Sequence, residues 1–230
     1  MKKLGLIGGI GPESTISYYK NIAYGIQKRV GKPFFPSLII ESVNVFHVLE
    51  MCDRKEYENL TDYLLKGINN LAAGGADFAA MTGNTAHIVF DELKALSPIP
   101  LVSIIESACD ETKGQGLTNI GLFGTKATMD GDFFIKPFSD NNINVFTPSE
   151  EEKAYIGEKI ETELEFGIIN QETFSGFMDI VERMVTENHI QAIVLGCTEL
   201  PLLFKDAKLP VKSLNTMEIH INTLINMILE

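Results

Sequence analysis

Eight short apolar runs, separated by stretches of helical periodicity, constrain this chain more than any other feature. The runs cover residues 4–8, 37–45, 77–81, 101–105, 119–124, 143–146, 192–196 and 211–214, and helical patterns occupy 15–29, 55–73, 153–166 and 173–187. Such runs suit strands buried on both faces and are too short for helices. Alternation of the two leads to an α/β fold with a parallel sheet, because each parallel strand is re-entered through a covering crossover.

The halves of the chain also echo each other. Residues 3–19 (KLGLIGGIGPESTISYY) and 119–134 (NIGLFGTKATMDGDFF) both run strand, glycine turn, hydroxyl residue and aromatics, and 61–84 is echoed by 174–198. Gly9 precedes Gly83 by 74 positions and Gly124 precedes Cys197 by 73. A duplicated unit follows: two pseudo-symmetric parallel-sheet lobes with the active site in the cleft between them. The expected boundaries are 1–113 plus 211–230 for the first lobe and 114–210 for the second. The tail, a strand after Val211 and an apolar helix, returns to the first lobe. On this register Gly83 is the counterpart of Cys197.

Composition narrows the function. At 230 residues and 45% hydrophobic, the chain can bury one large core or two small ones. The net charge of −12 is spread without acidic blocks, which argues for solubility and against nucleic-acid or anionic-membrane partners. No stretch approaches the roughly 20 apolar residues of a membrane span. The lysines and apolar start of MKKLGLIGGIGPEST are half glycine and run into Pro12–Glu13, so they read as a first strand and not a secretion signal. Three cysteines, odd in number and far apart, suit a reduced cytoplasmic setting, and neither they nor the four histidines have metal-ligand spacing.

Cys197, in AIVLGCTELP, stands between a strand end and a helix start, where free N–H groups favour thiolate. The plainer reading is a small core cysteine. The first turn, Gly8-Gly9-Ile10-Gly11-Pro12-Glu13-Ser14, approaches a dinucleotide fingerprint, and Glu41 even stands where a ribose-binding acid would. Ser14 in the third glycine position and Pro12, which lacks an N–H, argue instead for a turn offering Gly9 and Ile10 to a small carboxylate. MTGNTAH offers Asn84 and Thr85 as donors, or Asn84 as a plain N-cap, with His87 structural. Thr125 and Thr128 repeat the hydroxyl-beside-glycine theme. The expected ligand is small and anionic.

Together GLIGGIGPESTISYY, NTAH, LFGTKATM and LGCTELP resemble the aspartate/glutamate racemase family along essentially the whole chain. The resemblance implies two lobes enclosing an amino acid, no cofactor and no metal, and a cysteine from each lobe on either face of the α-carbon. It further implies substrate contacts from Gly9, Ile10, Asn84, Thr85, Thr125, Thr198 and Glu199, with Glu199 holding the ammonium group.

The chain departs from the family at the first thiol. The family has Cys directly before Asn-Thr, or one residue earlier; here those positions are Gly83 and Thr82. Catalysis is therefore assigned to Cys197, with Thr82 and Gly83 at the vacated position, where Thr82 holds a water at most. The expectation is racemisation of aspartate or glutamate biased to the L-enantiomer. The alternatives are a single-cysteine enzyme resembling arylmalonate decarboxylases and a non-catalytic amino-acid-binding protein. Arg54 and Lys126 are positional candidates for a distal carboxylate, and relatives place a basic residue near Glu165. A homodimer is the default assembly.

Overall fold

The computed structural model describes every residue except Asp206 and divides into two compact units, Met1–Ser107 with Met217–Glu230, and Ala108–Thr216. Among the described residues each unit carries a four-stranded parallel sheet. In the first, β1 (Leu4–Gly8), β2 (Leu38–Ser42), β3 (Phe78–Met81) and β4 (Leu101–Val102) are ordered β2-β1-β3-β4. In the second, β5 (Asn119–Phe123), β6 (Asn144–Phe146), β7 (Ala192–Leu195) and β8 (Lys212–Asn215) are ordered β6-β5-β7-β8. The two-sheet α/β architecture expected from the repeat is present, down to matching strand order. Ile7 lies opposite Met81 in the first sheet as Phe123 lies opposite Leu195 in the second.

Each unit is built by covering both faces of its sheet. Strand residues alternate sides, and in the first unit Leu4, Leu6, Phe78 and Ala80 join one buried cluster while Ile7, Ala79 and Met81 join the other. The first cluster is closed by Tyr18, Ile22 and Ile26 of helix Pro12–Val30 and by Ile221, Leu224, Ile225 and Ile228 of helix Thr216–Leu229. The second is closed mainly by Leu60, Leu64, Ile68 and Leu71 of helix Tyr57–Ala73. In the second unit Phe177 packs against Phe123 and Phe204, and Phe134 stacks on Phe138.

Three elements differ from the hydrophobic pattern. β8 pairs in register with β7, so this strand belongs to the second sheet, and the chain rejoins the first unit only at Met217. An apolar run says that a strand is buried but not which sheet it enters. β4 ends after two residues because the Ser103 hydroxyl accepts from the Ile105 and Glu106 N–H groups and starts helix Ile104–Gly114. β2 ends at Ser42, and Asn44 caps helix Val45–Asp53 by accepting from Phe46 N.

Two histidines are buried among these elements of the first unit. His87 Nε2 accepts from Ile104 N at 3.3 Å, so its Nδ1 carries the proton and donates to the Gly83 carbonyl at 3.0 Å. His220 Nε2 donates to the Val102 carbonyl at 3.2 Å, which leaves Nδ1 to accept from the Tyr18 hydroxyl at 2.8 Å. Burial lowers the pKa to about 4 for His87 and about 3 for His220. Both folded values lie below the unfolded value near 6.5, so the unfolded chain takes up protons first as pH falls. The stability these groups contribute is complete above about pH 6.5 and is lost as pH falls toward 4. Unfolding free energies from urea titrations at pH 7, 6 and 5, mostly above the carboxylate range, should decline with a limiting slope of about 1.4 kcal/mol per pH unit per histidine. His220→Gln should flatten that decline; an unchanged slope would assign it elsewhere.

Candidate active site

Both sheets end in the same way. Beyond β3 the Thr82 N–H donates to the Ile7 carbonyl at 3.1 Å, and beyond β7 the Gly196 N–H donates to the Phe123 carbonyl at 2.7 Å. The ladder therefore runs one residue past each strand, and the next residues, Gly83 and Cys197, are the first to leave it. Structural equivalence thus joins the two positions that the sequence repeat had paired.

In the second unit Cys197, Thr198 and Glu199 are half-buried and share one carboxylate. The Cys197 thiol donates to Glu199 Oε2 at 2.9 Å, and the Thr198 hydroxyl lies 2.8 Å from both Glu199 oxygens. Burial, followed by the negative charge of Glu199, pushes the thiol pKa well above its ordinary value. The resting group is therefore a protonated thiol. The helix start expected to favour thiolate is Leu200–Leu203, only four residues long, with Pro201 in its first turn. Its dipole is too short to outweigh an adjacent carboxylate. Helix Lys126–Asp130, whose Thr128 lies against Gly196, begins from Thr125, whose hydroxyl accepts from Thr128 N and contacts Thr128 Oγ1 at 3.1 Å.

In the first unit the glycine turn is held from within. Gly9 and Gly11 have φ of 77° and 56°, in the left-handed region that glycine enters without a side-chain penalty. Thr15, which the sequence reading did not single out, donates its hydroxyl to the Gly11 carbonyl at 3.0 Å and accepts from Gly9 N at 2.8 Å. The Gly9 N–H, expected to serve a ligand, is thus engaged inside the turn. Ser14 donates to the Ile10 and Gly11 carbonyls. Thr82 is fully buried, with its hydroxyl 3.3 Å from both the Ile7 carbonyl and Thr15 Oγ1, so it braces the turn. Asn84 stands at the start of the 3-10 helix Thr85–Val89 without a side-chain capping bond, and Thr85 opens that helix half-buried.

The remaining candidates are committed to local partners. Arg54 pairs with Glu50 at 2.7 Å, and Lys126 pairs with Asp130 and Glu150 at 3.0 and 2.9 Å. Glu41 accepts from Asn70. The turn Leu164–Phe166 packs against Leu200–Leu203 and brings Glu165 toward Glu199; burial and that charge raise the Glu165 pKa. No group of three or more potential metal ligands occurs among the described residues. No described helix is long and apolar enough to cross a membrane.

The Asp/Glu/Hydantoin racemase family matches residues 7–224. The chain belongs to that family. A candidate Asp/Glu racemase from Yersinia pestis superposes with a TM-score of 0.95 at 28% identity over the whole of both chains. An aspartate racemase homologue from Pyrococcus horikoshii OT3 does so with a TM-score of 0.88 at 35% identity, again over both whole chains. The broad specificity amino-acid racemase RacX of Bacillus subtilis is 25% identical over 146 residues, which span 62% of this chain and 63% of RacX. Membership covers both strand-end loops, so the local geometry of Cys197 and Gly83 can be weighed as that of a racemase-family protein.

The protonation of Cys197 is directly measurable. Alkylation of Cys197 by iodoacetamide at pH 8, followed by peptide mass, should be slow, since thiolate is the reactive form. Glu199→Gln keeps an acceptor but removes the charge that raises the thiol pKa. The rate-versus-pH curve should therefore move to lower pH, and a curve that stays in place would show that Glu199 has no electrostatic hold on the sulfur.

Proposed function

We propose that this chain racemises an acidic amino acid, aspartate or glutamate, without a cofactor, with Cys197 as its single thiol acid–base and with the L-enantiomer preferred. The observation that carries this reading is the Cys197 thiol donating to Glu199 at the end of β7, in a chain of the racemase family. Amino-acid racemisation is also the activity named for the Bacillus subtilis relative.

The chemistry follows from the resting state. A substrate ammonium group beside Glu199 offsets the charge that keeps the thiol protonated, so with substrate present the thiol releases its proton to solvent and thiolate forms. The thiolate then takes the α-proton: the Cα–H bond breaks, an S–H bond forms, and the electron pair moves into the α-carboxylate. A thiol with an ordinary pKa near 8.5 is a weak base for so weak a carbon acid. Fixed donors on that carboxylate must lower the barrier, and the backbone N–H groups around Thr125 and Thr198, in the unit of Cys197, are the donors assigned to it. Return of a proton to the other face of Cα completes inversion. Residues 82 and 83, the family's first-thiol positions, carry no thiol, so water delivers that proton, and the hydroxide left behind is neutralised by the proton of the Cys197 thiol, which restores the thiolate. The family resemblance puts Cys197 on the L face of Cα, so α-proton exchange is faster from L than from D.

Incubation in deuterium oxide with each enantiomer of aspartate and glutamate tests this. The expected result is α-deuterium incorporation that is faster from the L side. Cys197→Ser, nearly isosteric, should keep the fold and reduce incorporation by about 10²–10⁴-fold. Retention of most of the rate would reject Cys197. Absence of exchange in the wild-type protein with every amino acid would leave a binding protein.

A further inference from the structure

Position 83 is glycine for a reason that lies 73 residues away. A Cβ placed on Gly83 would stand 2.7 Å from Ile10 Cγ2, 3.0 Å from the Ile10 carbonyl oxygen and 3.3 Å from Ile10 Cβ. Real Cβ atoms essentially never come within 3.0 Å of another heavy atom, and here the obstacle includes backbone. Ile10 is itself buried, 7% exposed, and packed into the core of the first unit. It cannot swing aside without leaving that core.

The two strand-end loops explain how Ile10 came to lie there. Ile7 and Phe123 are equivalent by register. From Ile7 the next helix starts at Pro12, whereas from Phe123 it starts at Lys126. The first loop is therefore two residues longer. Its extra length, flanked by the positive-φ residues Gly9 and Gly11, carries Ile10 over Gly83. The turn is further pinned by Thr15 and Ser14, which bond Gly9 N and the Ile10 and Gly11 carbonyls. The shorter turn of the second unit coexists with a cysteine at the equivalent place.

We infer that Ile10 fixes this protein as a one-thiol chain: its side chain and carbonyl fill the space that any side chain at position 83 would need. Loss of the first thiol is then not one substitution but a matched pair, glycine at 83 and isoleucine at 10. Ile10 acts as a specificity-determining residue by denying an acid–base group to one position. The catalytic half of the test rests on the proposed function above, and the stability half does not.

The experiment is a double-mutant cycle with Gly83→Cys, Ile10→Ala and the pair, read by thermal midpoint and by α-deuterium exchange with D- and L-aspartate and glutamate. Gly83→Cys alone should lower the midpoint by about 3–10 °C, the usual effect of overpacking in a chain of this size, or fail to fold. In the Ile10→Ala background the same change should cost less than half as much, because only the carbonyl and Cβ contacts remain to be relieved by small shifts. The pair should exchange the α-proton of a D-substrate at least about tenfold faster than Ile10→Ala alone, with a smaller gain for L. Gly83→Ala, carried through the same cycle, reads the packing without a thiol. Equal destabilisation by Gly83→Cys or Gly83→Ala in both backgrounds, or no destabilisation in either, overturns the inference. So does a pair that folds, retains L-exchange and gains nothing with D. Wild-type protein inactive with every amino acid removes the proposed function, while the midpoint coupling still decides whether Ile10 and Gly83 are matched.

Discussion

Two backbone hydrogen bonds set where the chain leaves the sheet in each unit: Thr82 N–H to the Ile7 carbonyl and Gly196 N–H to the Phe123 carbonyl. Each prolongs a parallel ladder by one residue and fixes where the chain turns away from the sheet. The first residue after the turn then presents whatever side chain it has with little freedom of direction. A sulfur follows in one unit, and bare backbone in the other. The same strand end thus carries a cysteine after a short turn in one unit and a glycine beside a turn two residues longer in the other.

The strand pattern was legible because strands buried on both faces must be apolar throughout, as Leu4–Gly8 and Ala192–Leu195 are. The repeat was legible because glycine turns and hydroxyls recur at nearly equal spacing. Strand ends were harder to read where one polar residue redirects the chain, as Ser103 and Asn44 do. The partner of the last strand was not legible, since burial alone does not choose a sheet.

At the candidate site the sequence pointed to particular loops but did not show how their groups are committed. Gly9, Thr82 and Cys197 all occur in the expected places. Yet the Gly9 N–H is engaged by Thr15, the Thr82 hydroxyl braces the turn, and the Cys197 thiol is bonded to Glu199. Proximity in sequence suggested that a helix would favour thiolate. The length of that helix and the direction of the Glu199 side chain, neither visible in a string of letters, reverse the preference. Ile10 is the clearest case: the sequence offered its backbone to a ligand, and only the fold shows its side chain and carbonyl against Gly83, just beyond β3.

The return of helix Thr216–Leu229 to the first unit governs the order in which the chain can be completed during synthesis. Ile221, Leu224, Ile225 and Ile228 complete the cover of one face of the first sheet beside helix Pro12–Val30, and the Lys2 N–H donates to the Ile228 carbonyl. Residues 1–107 are made well before residues 217–230, so Leu4, Leu6 and Phe78 wait with that face covered only by helix Pro12–Val30. The second unit, contiguous from Ala108 to Thr216, has all of its own strands by the time residue 216 is added. Of the two units, the one begun earlier is therefore the one completed later.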